Sequence, residues 1–309
     1  MSLITSLAAI FPNGWHQTLC MKITGFAIIK NAVVNDYPIV EAINSILPVV
    51  DEMIVLAGDS EDDTEQLIRN IQSDKIRIHH SVWDPAFKKG GEILAMETNK
   101  AFDLVSAESD WAFYIQGDEV VHEKYHTIIR QTAERYKDDK RVEGLLFNYL
   151  HFYGTYNYVG DSRRWYHKEV RIIRNDKSIR SYKDAQGFRR NGEKLKVKPV
   201  DAFVYHYGWV KTPRQMMQKH KNLRQYWTEE TQRTVEINAL EVFDFSEFDS
   251  LERFTGTHPQ VMLPRIASQN LTTTLDISKK KFSFKERVLY WIEKKTGKRL
   301  FDFRNYKVI

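Results

Sequence analysis

The chain has 309 residues, 42% hydrophobic and 28% charged, a balance that supplies a sizeable core and excludes a disordered or fibrous protein. One cysteine, Cys20, excludes an internal disulfide and fits a reducing compartment, and no apolar run reaches the roughly 18–20 residues that span a bilayer. The net charge of +5 is concentrated: Lys279 to Lys307 carries 11 Lys and Arg against 3 acids, so the rest is near neutral, unlike a nucleic-acid-binding fold.

Residues 1–20 lack a basic leading segment and read as an accessory extension rather than a signal peptide. From Met21 onward, strand and helix signals alternate. Lys22–Ile29 (KITGFAII) predicts a strand, and Pro38 opens a helix through Leu47. Glu52–Leu56 predicts a second strand, followed by the polar turn Gly58-Asp59-Ser60-Glu61-Asp62-Asp63-Thr64 and a helix carrying Leu67, Ile68 and Ile71. Ile76–His80 is a third strand, Gly90-Gly91 precedes a helix to about Ser106, and Trp111–Gln116 is a fourth strand. Short apolar strands separated by helices imply βαβ crossovers and a mostly parallel sheet. Ligands of such sheets bind at the carboxyl ends of the strands, here Asn31, the 58–63 turn, Trp83-Asp84 and Gly117-Asp118-Glu119.

The pattern then changes. Glu143–Phe152, Val170–Ile173 and Asp201–Tyr207 read as strands, and Thr212-Pro213 as an N-cap and N1 proline. The helix that follows places Met216, Met217, His220, Leu223 and Trp227 on roughly one face. Lys285–Lys295 (KERVLYWIEKK) predicts a basic amphipathic helix, suited either to an anionic lipid surface or to packing on the body. The expected organisation is an extension over 1–20, an α/β domain over 21–230, and a C-terminal helical extension over 231–309 ending in the basic tail.

The strongest local signal for chemistry is Trp111–Glu119 (WAFYIQGDE). A buried strand ending in a carboxylate brings that charge to the ligand-binding rim, where a metal held by oxygen can bridge and neutralise a diphosphate. The plainer reading is that Asp118 caps a following helix. Lys88-Lys89-Gly90-Gly91, just before a helix, offers Lys89 and backbone N–H groups to a phosphate, although it lacks a Walker pattern. With Tyr and Trp interleaved, Arg163, Arg164, Lys168, Arg171 and Arg174 form either an anion-binding or a solvated face.

The chain resembles the family 2 glycosyltransferases of GT-A fold. The likeness rests on Lys30-Asn31 at the end of the first strand, DEMIVLAGDSEDDT, WAFYIQGDE and, later, VYHYGW, and it spans about residues 21–210. It implies a three-layer α/β/α nucleotide-binding fold and an inverting transfer from a nucleotide-sugar to a glycan or lipid-linked hydroxyl. It also implies a divalent metal, Mn²⁺ or Mg²⁺, and a cytoplasmic, membrane-peripheral setting. By the resemblance, Asn31, Asp59 and Asp62 lie near the nucleoside, and Gln116 and Asp118 near the donor. Asp118 and His206 would hold the metal, since Mn²⁺ accepts both carboxylate and imidazole. Asp184, followed by Glu119 and Glu169, would be the general base. Gln116 stands where the first aspartate of the family's Asp-x-Asp is found, and Ala32 where a glutamate follows the asparagine. These departures keep two rivals open: a non-catalytic sugar- or lipid-binding module, and a sugar nucleotidyltransferase. The second normally carries a glycine-rich loop that Lys30–Val34 lacks.

Overall fold

The first strand, β1 (Ile23–Ile29), is buried along its whole length, as a central strand of a parallel sheet must be. The structure is a computed structural model and describes residues 21–84, 86–87, 90–224, 226, 241–269, 271 and 273–309. After β1 come α1 (Ile39–Ile46), β2 (Glu52–Ala57), α2 (Thr64–Arg69), β3 (Ile76–His80), α3 (Glu92–Asp103) and β4 (Trp111–Tyr114). The chain continues through β5 (Glu119–Val121), α4 (His126–Arg135), β6 (Gly144–Gly154), β7 (Tyr158–Gly160), β8 (Lys168–Arg174), β9 (Ile179–Tyr182), β10 (Gly187–Arg190), β11 (Glu193–Lys194) and β12 (Lys196–Val210). It ends with α5 (Pro213–Arg224), β13 (Leu251–Arg253), α6 (Leu263–Ser268), α7 (Phe284–Thr296) and β14 (Lys307–Val308).

The fold is mixed α/β around a mostly parallel central sheet. Strands β3, β2, β1 and β4 run parallel, β8 is antiparallel to both β4 and β6, and β12 pairs parallel with β6. Only β8 opposes the common direction in that row. Alternation along the strands makes the layers. Ile23, Ala27, Met53, Val55, Trp111 and Phe113 join α1 and α4 in one core; Phe26, Ile28, Ile54, Leu56, Ala112 and Tyr114 join α3 and the β9–β10 hairpin in the other.

From β1 the chain builds outward to β2 and β3, then returns to set β4 on the other side of β1. The crevice between the carboxyl ends of β1 and β4 is therefore the topological switch point, where open α/β sheets bind ligands.

Residues 1–20 and Trp227, and the proposed boundary at 230/231, lie outside the described residues. The C-terminal part packs on the body: β13 pairs with β7, and β14 pairs with β12. Asp118 is not a helix cap, because β5 follows it directly.

Candidate active site

A cavity of about 250 Å³ lies at the switch point. Its walls include Asn31 after β1, Trp83 after β3, and Gln116, Gly117 and Asp118 after β4; the 183–186 turn adds Asp184, and α5 adds Lys219. Tyr37, Tyr114, Tyr166 and Tyr226 add flat, amphipathic surface of the kind that accepts sugar and base rings.

The rim is built by backbone geometry. Asn31 adopts a left-handed φ of 53°, which asparagine tolerates better than most residues. Its side-chain Oδ1 accepts from Glu61 N–H, and its own N–H donates to Ser60 Oγ, so the 58–63 turn is sewn to the end of β1. Asp62 serves the same seam: it accepts from the N–H of Val34 and from Thr64, and it does not line the cavity. Asp59 also stays off the wall. It accepts from Lys30 Nζ at 2.8 Å and Trp83 N–H at 3.0 Å, contacts that outweigh its burial and lower its pKa. Asp59 thus holds the rim residues Lys30 and Trp83 and Asp62 holds Val34 and Thr64, and neither acid lines the wall. Lys89 lies outside the described residues, and the N–H of Gly91 is taken by Tyr226 O at 2.9 Å, so this backbone donor is already used.

Asp118 and His206, 88 positions apart in sequence, come together because β5 turns back against β12 and pairs Glu119 with His206. Tyr207 N–H donates to Asp118 O at 2.8 Å. The next residue, Gly208, has no side chain for a steric reason: a Cβ there would sit 2.6 Å from Asp118 Oδ2 and 2.7 Å from the His206 ring. His206 Nε2 lies 3.7 Å from Asp118 Oδ2.

A relay sets the His206 tautomer. His151 Nε2 is 2.7 Å from Tyr166 O, which can only accept, so that nitrogen carries the proton. His151 Nδ1 then accepts from His206 Nδ1–H across 3.2 Å, leaving His206 Nε2 a bare acceptor toward Asp118. Burial lowers the pKa of both rings, with His206 a further depressing influence on His151, so both are neutral near pH 7. Two lone-pair atoms facing each other call for a cation between or beside them.

The cation present is Lys219. Its Nζ donates to Asp118 Oδ2 at 3.0 Å and to Gly208 O at 2.9 Å, and it lies over the Tyr37 ring at 4.8 Å. Burial alone would raise the Asp118 carboxyl, but Lys219, by charge and by its hydrogen bond, reverses that and holds it well below the usual carboxylate range. Lys211, 1% exposed at its side chain, is pushed down to about 7 by burial and by Lys219.

The protein donors to a divalent ion here would be Asp118 and His206. Among the described residues no group of three or more His, Cys, Asp or Glu could hold a metal. Gln116, in the other acidic position of the motif, donates its amide to Ala185 O at 3.3 Å. A dication about 4 Å from a fixed ammonium would meet a repulsion on the order of 8 kcal/mol at an effective dielectric near 20. With Lys219 seated, these residues do not fit the expected Mn²⁺ or Mg²⁺.

Glu119 is no base. It is fully buried and gripped by Arg171 at 2.9 and 2.8 Å, with Tyr149 Oη donating at 2.8 Å. Removing one partner of such a pair costs about 3–5 kcal/mol. Its role is to brace the turn: Glu119 Oε2 also accepts Gln116 N–H at 3.2 Å. Arg171 and Arg174 are likewise structural, the latter donating to four backbone carbonyls. Asp184 does reach the cavity wall, carried on the β9–β10 turn between Lys183 and Ala185, both at left-handed φ.

Lys219 was missed from sequence because a lysine in a polar helix reads as solvated. The available signal was its place three residues after Met216, on the buried face of α5.

Fold and site together define an α/β protein with a polar, aromatic-walled cavity at the switch point of its sheet. No model of a protein family matches the chain, and no curated protein matches it. Among solved structures it is similar to S. aureus TarS, at 14% identity over 71% of this chain and 42% of that one, with a TM-score of 0.38. It is also similar to S. aureus TarS 1-349 in complex with UDP-GlcNAc, at 15% identity over 66% and 65%, TM-score 0.39. A third is glucosyl-3-phosphoglycerate synthase from Mycobacterium tuberculosis with Mn²⁺, UDP and glucosyl-3-phosphoglycerate, at 19% identity over 43% and 45%, TM-score 0.30. The chain spans less than two thirds of the length of each of the three.

Proposed function

We propose that this chain is a glycosyltransferase that moves a sugar from a nucleoside-diphosphate donor to an acceptor hydroxyl with inversion. The observation that carries the reading is the convergence of Asn31, Gln116, Asp118, Lys219 and Asp184 on one cavity at the switch point. Asn31, Trp83 and Tyr226 would receive the nucleoside, and the Asp118 rim the diphosphate. In the reaction, Asp184 takes the proton of the acceptor hydroxyl. The freed oxygen forms its bond to the anomeric carbon from the face away from the diphosphate. The bond from that carbon to the diphosphate oxygen breaks, and the electron pair leaves with the nucleoside diphosphate. The Glu119–Arg171 pair keeps Gln116 and Asp118 in register through this step.

A panel of UDP-, GDP-, CDP-, ADP- and dTDP-sugars, with water as a slow acceptor, tests the reading by release of free nucleotide. One donor should be hydrolysed, and Asp184→Asn should slow that release by about 10²–10⁴-fold while leaving donor affinity within roughly twofold. A near wild-type rate in Asp184→Asn would remove it as the base. Binding of a donor without any turnover would make the chain a sugar-binding module instead.

We also propose that the acceptor is a glycan or lipid-linked, and that α7 rests on an anionic lipid surface. No helix among the described residues is long and apolar enough to cross a membrane. However, α7 presents Phe284, Arg287, Val288, Trp291 and Lys295 on one exposed face. That combination of apolar rings and cations suits the headgroup region.

A further inference from the structure

Lys219 is out of place for a lysine. It is 8% exposed, sits on the inner face of α5 and lines the cavity. The helix is anchored for this: Thr212 Oγ1 accepts from Gln215 N–H, and Gln215 Oε1 accepts from Thr212 N–H, a reciprocal cap ahead of the N1 proline. From that base the side chain reaches back over Gly208, the position where a Cβ would collide with Asp118. Two of its three N–H donors are used by Asp118 Oδ2 and Gly208 O. The third has no protein acceptor among the described residues.

On the transferase reading, we propose that Lys219 is the resident cation of this site. It, and not a divalent ion, meets the donor's diphosphate and takes up charge on the leaving group. Four observations support this. The ammonium is hydrogen-bonded to Asp118 Oδ2, the oxygen that faces His206 Nε2. Gln116 stands in place of the motif's first acid and is tied off on Ala185 O. The hydrogen bonds from His206 to His151 and from His151 to Tyr166 O leave a lone pair of His206 Nε2, and not a proton, toward Asp118, so the cation at that carboxylate is Lys219. Lys211, over the Tyr37 ring and tied to Asp36 O, does not line the cavity, which leaves Lys219 as the lysine of α5 and the β12 end that meets a ligand. A lysine binds phosphate as a point charge and needs no particular geometry from its partner. Asp118 is then a positioning residue that aims the ammonium.

The test is equilibrium binding of UDP, GDP, CDP, ADP and dTDP to the whole chain, each in EDTA and in excess Mn²⁺. The tightest diphosphate should bind within about twofold under the two conditions, and Lys219→Met should weaken it by at least about tenfold. The matching free nucleoside, which has no phosphate, should bind Lys219→Met and wild type alike, and Lys219→Arg should recover most of the diphosphate affinity. Because Lys219→Met strands a buried carboxylate, Lys219→Met with Asp118→Asn is measured beside it; it should fold and show the same loss. A gain of about tenfold or more on adding Mn²⁺ overturns the proposal and leaves the transferase reading standing. So does unchanged diphosphate affinity in both lysine-to-methionine variants. If none of the five diphosphates binds under either condition, the transferase reading falls and this inference falls with it.

Discussion

Glu169, on β8, has its Oε2 buried without a hydrogen-bond partner, and burial pushes its carboxyl up to about 7, with Glu119 and Asp184 adding to the rise. It is therefore neutral in the fold at pH values where an unfolded glutamate is ionised. Between about pH 4.5 and 7 the native chain binds more protons than the unfolded one, so this group's contribution falls as pH rises and is flat above that range. Urea unfolding of Glu169→Gln should give stability close to wild type at the acid end and a relative gain of roughly 3 kcal/mol by the alkaline end. Parallel pH curves for the two proteins would show that Glu169 is ionised in the fold. Lys219 and Glu119 teach the same lesson about single residues. Asp118 and Asp184 were legible as carboxylates at the ends of elements. What Glu119 touches was not, because its partner Arg171 is 52 positions away on another strand.

At the scale of the element, α7 was the most readable part of the chain. Its capping box, Ser283 with Glu286, and its left-handed C-cap Gly297 bracket it as their chemistry requires. Its inner side is tied to the body by Tyr290 Oη to Asp161 at 2.6 Å and by Glu293 to Arg163 at 2.6 Å. Phe284 stays 84% exposed and Trp291 61% exposed. The helix is docked on the body, as one of the two sequence alternatives expected, and its outer face is exposed. If that face meets lipid, the chain should co-sediment with phosphatidylserine-containing vesicles and leave them as salt is raised. Phe284→Ala with Trp291→Ala should reduce the bound fraction several-fold, since each cation near such a surface adds only about 1 kcal/mol. No wild-type binding to anionic vesicles would sink the idea. The short strands β5, β7, β9, β10, β11, β13 and β14 were not read, while the seven strands read from sequence are present, with β12 running from Lys196, well before the expected Asp201. Polar residues on its exposed positions broke the apolar run that marks a buried strand.

The whole molecule closes through its last residues. Tyr306, 7% exposed, joins the core cluster of Phe188, Leu195 and Val197, while β14 extends the sheet beside β12. The last residues of the chain thus share a core with the central sheet. Tyr306→Ala should lower global stability by about 3 kcal/mol, with circular dichroism and tryptophan fluorescence still reporting one coincident transition. Two separated transitions, or an unchanged midpoint, would show that the tail folds apart from the body.

Local pattern alone determined the alternation of strands and helices, the parallel sheet, and the rim where a ligand would bind. These follow from the period of apolar residues and from caps, which act between neighbours in sequence. The identity of the cation beside Asp118 was decided only in three dimensions. It depends on β12, whose register against β6 shifts between His206 and Trp209, on Gly208 without a Cβ, and on α5 returning across them. These join residues about a hundred positions apart, and nothing in the local sequence encodes their distances.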